Sequence, residues 1–178
     1  CFSMKVILIK AILLIYLLSP DSLYAIDHPN IKNLILHKEP KKLENFVFKN
    51  VKKEELKLSD FTNKLLLINF WATWCAPCRD EMPSLDKIHD SKIFKNLEII
   101  PINVGNEDII KSINFYNEIK IENLNLYYDD TLDLPKKFLL RGIPTTILIN
   151  KSGEEFARIL GTINFQDKNF VNWLEKYD

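Results

Sequence analysis

Cysteine and histidine are scarce in this 178-residue sequence, with three of each. A structural zinc site takes about four ligands, usually including a second Cys or His pair. Cys1, His28, His37 and His89 are too scattered to complete one with Cys75 and Cys78. Covalent haem attachment needs a histidine directly after a Cys-x-x-Cys pair, and Arg79 stands there instead. An excess of one charge is missing too: 24 Lys and Arg balance 24 Asp and Glu, so no nucleic-acid partner is expected. There are no repeats or low-complexity tracts. These absences leave no basis for a resident metal or cofactor.

A full membrane-spanning run is also lacking. Residues 6–18 are apolar apart from Lys10, a stretch of 13 against the roughly 20 needed to cross a bilayer. With Lys5 ahead of it and Leu23 and Ala25 behind, residues 1–25 read as a signal peptide cleaved after Ala25, or as a retained signal anchor. Either way the domain is expected outside the membrane, in the periplasm or tethered to it. Cys1 precedes the first methionine, Met4, and is assigned no role. Residues 26–45 are polar and read as a leader or linker, with His28 and His37 solvated in it. Residues 46–178 are long enough for one domain with a proper core. Past the export segment the only cysteines are Cys75 and Cys78, in a compartment that permits disulfides.

Those two cysteines sit where a strand hands over to a helix. The run Leu65–Trp71 is apolar and aromatic and reads as a buried strand; the residues after Cys75, to about 90, read as a helix. At a helix N-terminus the unpaired N–H groups and the dipole favour a thiolate, which makes Cys75 the better nucleophile. Cys78, three positions on, lies on nearly the same face and within disulfide reach. A bridge closing so short a loop stabilises little, so redox cycling is the better reading. Pro77 fits the first turn and stiffens it. Glu81, one turn beyond Cys78, is within reach of its proton if burial raises its pKa. His89, more than two turns away, reads as a helix-surface residue. Trp71 reads as core and Trp74 as an exposed apolar lip beside Cys75.

Trp71-Ala72-Thr73-Trp74-Cys75-Ala76-Pro77-Cys78-Arg79, followed by Glu81-Met82-Pro83, resembles the thioredoxin superfamily, and within it the TlpA/ResA-like thiol–disulfide oxidoreductases. A second segment, Gly142-Ile143-Pro144-Thr145-Thr146, resembles the family's cis-proline loop, and the resemblance runs from about Phe46 to the C-terminus. It implies a thioredoxin fold: a central mixed β-sheet flanked by helices, with an N-terminal β extension and an inserted helix–strand unit before the cis-proline. Periodicity agrees, giving short strands near 46–48 and 56–58, a strand at 97–104, and the insert as a helix at 108–120 and a strand at 124–128. A short helix near 135–140, strands at 145–150 and 155–160 and a helix at 166–177 follow. Pro83 removes one hydrogen bond inside the active-site helix and is expected to kink it.

The resemblance implies that Cys75 and Cys78 form a redox disulfide, that Glu81 is the proton acceptor, and that Trp74, Pro77, Ile143 and Pro144 contact the substrate. Where thioredoxin has a buried aspartate this chain has Asn69, which cannot take a proton, and that moves the role toward Glu81. The implied activity is a monomeric, exported reductase of specific protein disulfides. Its implied clients are apocytochrome c or copper-site assembly proteins, with a membrane thiol donor of the DsbD type. Thr145 stands where the CcmG/DsbE branch tends to have glutamate, which argues against that branch. Two alternatives stay open: a Cu(I) metallochaperone using the same soft thiolates, and a thiol peroxidase, whose Thr and Arg arrangement is not seen.

Overall fold

The computed structural model describes residues 29–178, so the export segment at 1–25, Cys1 and His28 lie outside the described residues. In chain order the elements are β1 (Leu34–Lys42), β2 (Val47–Asn50), β3 (Glu55–Lys57), β4 (Leu65–Trp71), α1 (Ala76–His89), β5 (Leu97–Asn103) and α2 (Ile109–Glu118). Then come β6 (Tyr127–Tyr128), α3 (Leu134–Lys137), β7 (Thr145–Ile149), β8 (Glu154–Leu160) and α4 (Lys168–Leu174). Among the described residues the strands form one mixed sheet in the order β1-β8-β7-β4-β5-β6-β2-β3. Among the same residues no helix is long and apolar enough to cross a membrane.

β4 lies at the centre, parallel to β5 and antiparallel to β7, and every one of its residues is buried. Successive side chains of a strand point to opposite faces, and here each face has its own core. Leu65, Leu67 and Trp71 pack with Met82, Leu85 and Ile88 of α1, Phe115 of α2 and Phe170 and Trp173 of α4. Leu66, Ile68 and Phe70 pack on the other face with Phe46, Phe48 and, from the segment around α3, Leu134 and Phe138. Asn69 is the one polar residue in the run, and its odd-numbered position turns it to the α1 face. α1 runs unbroken from Ala76 to His89 through Pro83.

Two expectations need correction. Residues 26–45 are not simply a linker, because Leu34–Lys42 is a nine-residue edge strand paired antiparallel with β8. Its anchor is electrostatic as well as apolar. His37 is not solvated: its Nε2 lies 2.6 Å from Glu155 Oε1, while Leu34 and Leu36 pack against the helix-side core. Glu155, buried on β8, is also held by the Arg158 guanidinium, whose Nη1 donates to the Phe138 carbonyl at 2.7 Å.

The second correction concerns 124–128, where only Tyr127 and Tyr128 form a strand. Upstream backbone amides are taken by a side chain instead. The buried Asp86 carboxylate accepts from the N–H groups of Asn123 at 2.8 Å and Leu124 at 3.0 Å, and from the Asn123 amide at 3.0 Å. An amide bonded to that carboxylate has no hydrogen left for a ladder.

Candidate active site

Cys75 is the N-cap of α1, with extended backbone, and its Sγ accepts from the Cys78 N–H at 3.2 Å. The two cysteines are joined as a disulfide with their Cα atoms 5.3 Å apart. Both are buried; Cys75 keeps 4% of its surface exposed and Cys78 none. The attackable sulfur is thus the one at the helix N-terminus, where the first-turn amides favour negative charge. Ala76 and Pro77 beside it are exposed, Pro77 falling in the first turn of α1. Trp74 is 64% exposed, while Trp71 is fully buried and stacks on Phe115 at 5.0 Å between centroids.

Pro144 is buried and follows Ile143 through a cis peptide bond. Its neighbour Thr145 pairs with Phe70 in the β4–β7 ladder, so the loop lies beside the end of β4 that leads into the cysteines. Ile143 is half-buried and touches both cores, including the one that contains Cys75 and Cys78. The loop is fixed by hydrogen bonds from the Thr145 hydroxyl to the Gly142 carbonyl at 2.8 Å and from the Gly161 N–H to the Pro144 carbonyl at 2.9 Å.

Glu81, one turn past Cys78, is only 2% exposed. Its Oε1 accepts from Asn69 Nδ2 at 2.8 Å, and its Oε2 has no hydrogen-bond partner. Loss of solvent pushes its carboxyl pKa up to about 8, with the Asn69 amide and the backbone at Ile163 opposing the rise. It lines a groove of about 320 Å³ bounded by Asp80, Ser84, Thr162, Ile163 and Asn164. A buried carboxylic acid with a path to solvent can accept and pass on a proton near neutral pH.

Sequence reasoning missed the group that holds the loop before Cys75. Glu107, with 4% of its side chain exposed, accepts from the Thr73 N–H at 2.8 Å and from the Thr73 hydroxyl. Asn103 Nδ2 donates to it at 3.0 Å and Lys111 pairs with it at 2.9 Å. Burial works against its ionisation, but the hydrogen bonds from Thr73, Asn103 and Lys111 outweigh that and hold the carboxyl at about 2. Gly105 is required here, since a Cβ would come within 2.7 Å of Glu107 Oε2 and 2.8 Å of Ala72 Cβ. The usable signal was polarity in a buried strand: Asn103 ends β5 as Asn69 interrupts β4. His89 is half-buried on α1, with no ion pair to the site. Arg79 pairs with Glu118 at 2.8 Å and lies over the Phe115 ring.

Comparison with known proteins places the family and the fold. The AhpC/TSA family matches residues 40–154. The thiol-disulfide oxidoreductase ResA of Geobacillus kaustophilus is 32% identical over 123 residues, covering 69% of this chain and 70% of that protein. Among solved structures, a thiol:disulfide interchange protein of the thioredoxin family from Chlorobium tepidum superposes with a TM-score of 0.66 at 23% identity, over 79% of this chain and 98% of that one. StoA from Bacillus subtilis superposes with a TM-score of 0.60 at 21% identity, over 78% of this chain and 98% of that one.

Proposed function

The chain belongs to the AhpC/TSA family and is a ResA-like thiol–disulfide oxidoreductase of the thioredoxin superfamily, and from that premise we propose that it is an exported reductase of particular protein disulfides. The observation that carries the reading is the buried Glu81 carboxyl one helical turn beyond a Cys75–Cys78 disulfide at a helix N-terminus.

In the reduced protein the Cys75 thiolate attacks one sulfur of a client disulfide. The client S–S bond breaks, its second sulfur leaves as a thiolate, and a mixed disulfide forms. Glu81 takes the proton from Cys78, whose sulfur then attacks Cys75, closing the enzyme disulfide and releasing the other client sulfur. Two electrons pass to the client. A carboxyl raised to about 8 is a stronger base than an ordinary glutamate, which suits it to take a thiol proton. The mostly buried disulfide then needs re-reduction by a donor thiol, for which a membrane transporter of the DsbD type is the candidate.

Trp74 supplies an exposed apolar contact for the client, Pro77 stiffens the attacking turn, and Ile143 with Pro144 offers backbone along which an extended client segment can lie. The clients we favour are apocytochrome c cysteines or copper-site assembly proteins in the periplasm, with the N-terminal apolar segment directing export. A peroxidase reading is disfavoured because the Arg79 guanidinium is engaged by Glu118 and the Phe115 ring.

The test is single-turnover reduction of a model protein disulfide by the reduced protein. Cys78→Ser should stop at a trapped mixed disulfide, Cys75→Ser should form none, and Glu81→Gln should slow release of the reduced client at least tenfold, roughly 1.4 kcal/mol. A Cys75→Ser variant that traps as well as Cys78→Ser, or release unaffected in Glu81→Gln, would overturn the assignment.

A further inference from the structure

Asn69 stands opposite Thr146 in the β4–β7 ladder, on the same face as Glu81. Its Nδ2 uses both hydrogens, one on Glu81 Oε1 at 2.8 Å and the other on Thr146 Oγ1 at 2.9 Å. Its Oδ1, also buried, has no partner, and neither does Glu81 Oε2. The three side chains are thus a closed polar set inside an otherwise apolar layer, with unused acceptors at two points.

An amide can present either its NH₂ or its oxygen after a half-turn about χ2, and a hydroxyl can donate or accept. When Glu81 is a carboxylate, the observed arrangement suits it, with NH₂ donated to both neighbours. When Glu81 is a carboxylic acid, the reversed amide still serves it, because Oδ1 can accept from the acid O–H and from the Thr146 hydroxyl, but its NH₂ then loses both acceptors, so the carboxylate is the better-served state. A buried polar group without a partner is destabilised by about 1–3 kcal/mol, and this amide spares the facing Glu81 oxygen that cost in either state. An aspartate could not do the same, since it would add a second charge or a second proton to the layer.

We propose that Asn69 is a positioning residue that keeps Glu81 hydrogen-bonded in both protonation states and, through Thr146, relays that state to the strand that follows the cis-proline. The inference rests on the proton-acceptor reading of Glu81 given above. Proton transfer from Cys78 then turns the amide and the Thr146 hydroxyl, two residues from Pro144, and links resolution of the mixed disulfide to the surface along which the client lies.

Among the groups facing Glu81 the one other charge is Asp80, which is exposed to solvent. From the sheet come Asn69 and Thr146, and from the segment at 161–165 come Thr162, Ile163 and Asn164. From α1 come the Cys78 half of the disulfide, Ser84 and the exposed Asp80. Asp86, further along α1, is committed to the amides of residues 123 and 124.

The test is a carboxyl ¹³C titration of Glu81 in the oxidised full-length protein, with the resonance assigned by its loss in Glu81→Gln. It reads the carboxyl directly and needs no turnover, so it can fail while the catalytic role of Glu81 stands, and the reverse. Asn69→Leu removes the donor at nearly constant volume, and the midpoint should rise by about half a pH unit or more. Thr146→Val should shift it upward by less, through loss of the amide's second anchor. Asn69→Asp should split the transition into two coupled steps. An unchanged or lowered midpoint in Asn69→Leu would overturn the proposal. Should that variant not fold, an unchanged midpoint in Thr146→Val together with a single step in Asn69→Asp would do so.

Discussion

At Glu81 the carboxyl pKa rises from 4.5 to about 8, so between those values the folded chain holds a proton that the unfolded chain has released. The unfolded state binds fewer protons there, and stability must fall as pH rises from about 4.5 to 8, then level off. Glu81→Gln removes this term. The denaturant midpoint of the variant relative to the parent should therefore climb through that window and be flat above it; parallel curves would mean that the carboxyl is not raised. Glu107 has the opposite sign. Held at about 2, it contributes stability that is present above 4.5 and lost as pH falls toward 2. Trp74, 64% exposed, carries little folding energy. Trp74→Ala should leave thermal unfolding unchanged while slowing exchange with protein disulfides about three- to tenfold, on the order of 1 kcal/mol of lost contact. An equal slowing with a small-molecule disulfide would argue against a client contact.

Among the elements, β4 and α1 were legible in the sequence because their signals are local. A run apolar but for Asn69 and an N-cap cysteine before a proline need no distant partner to be recognised. β1 was not legible, because Leu34–Lys42 alternates poorly and carries a lysine-rich end; it becomes a strand only by covering the edge of β8. Its electrostatic anchor joins His37 to Glu155 across 118 residues of sequence. The shortened β6 has the same kind of cause, since nothing near residue 124 reveals that Asp86 takes its amide. Glu81 was legible by its helical spacing from Cys78, but its depth required the sheet, and Thr146 became interpretable only once the ladder set it opposite Asn69. The β1–β8 anchor gives a prediction at this scale. Arg158→Met leaves Glu155 buried with His37 as its remaining side-chain hydrogen-bond partner, and should cost on the order of 3 kcal/mol. Urea unfolding measures it; a loss below about 0.5 kcal/mol would mean that the guanidinium does not stabilise the edge.

For the molecule as a whole, the sheet serves to bring two distant segments to one end of β4: the cysteines that follow it and the cis-proline loop that leads into its neighbour β7. The insert from α2 to β6 closes the opposite flank of β5, and the loop between β5 and α2 supplies Glu107 to brace the loop before Cys75. The resemblance seen in the two motifs extends to the fold, and the chain is an oxidoreductase acting by thiol–disulfide exchange. Its direction is the central claim. The measurement that tests it most directly is the reduction potential of the Cys75–Cys78 pair, obtained by equilibrating the protein with thiol–disulfide buffers of defined poise and trapping free thiols. A reductase requires a value below about −200 mV, toward the roughly −270 mV of thioredoxin. A value near the roughly −120 mV of a strong oxidant would contradict the account and make the same scaffold a donor of disulfides.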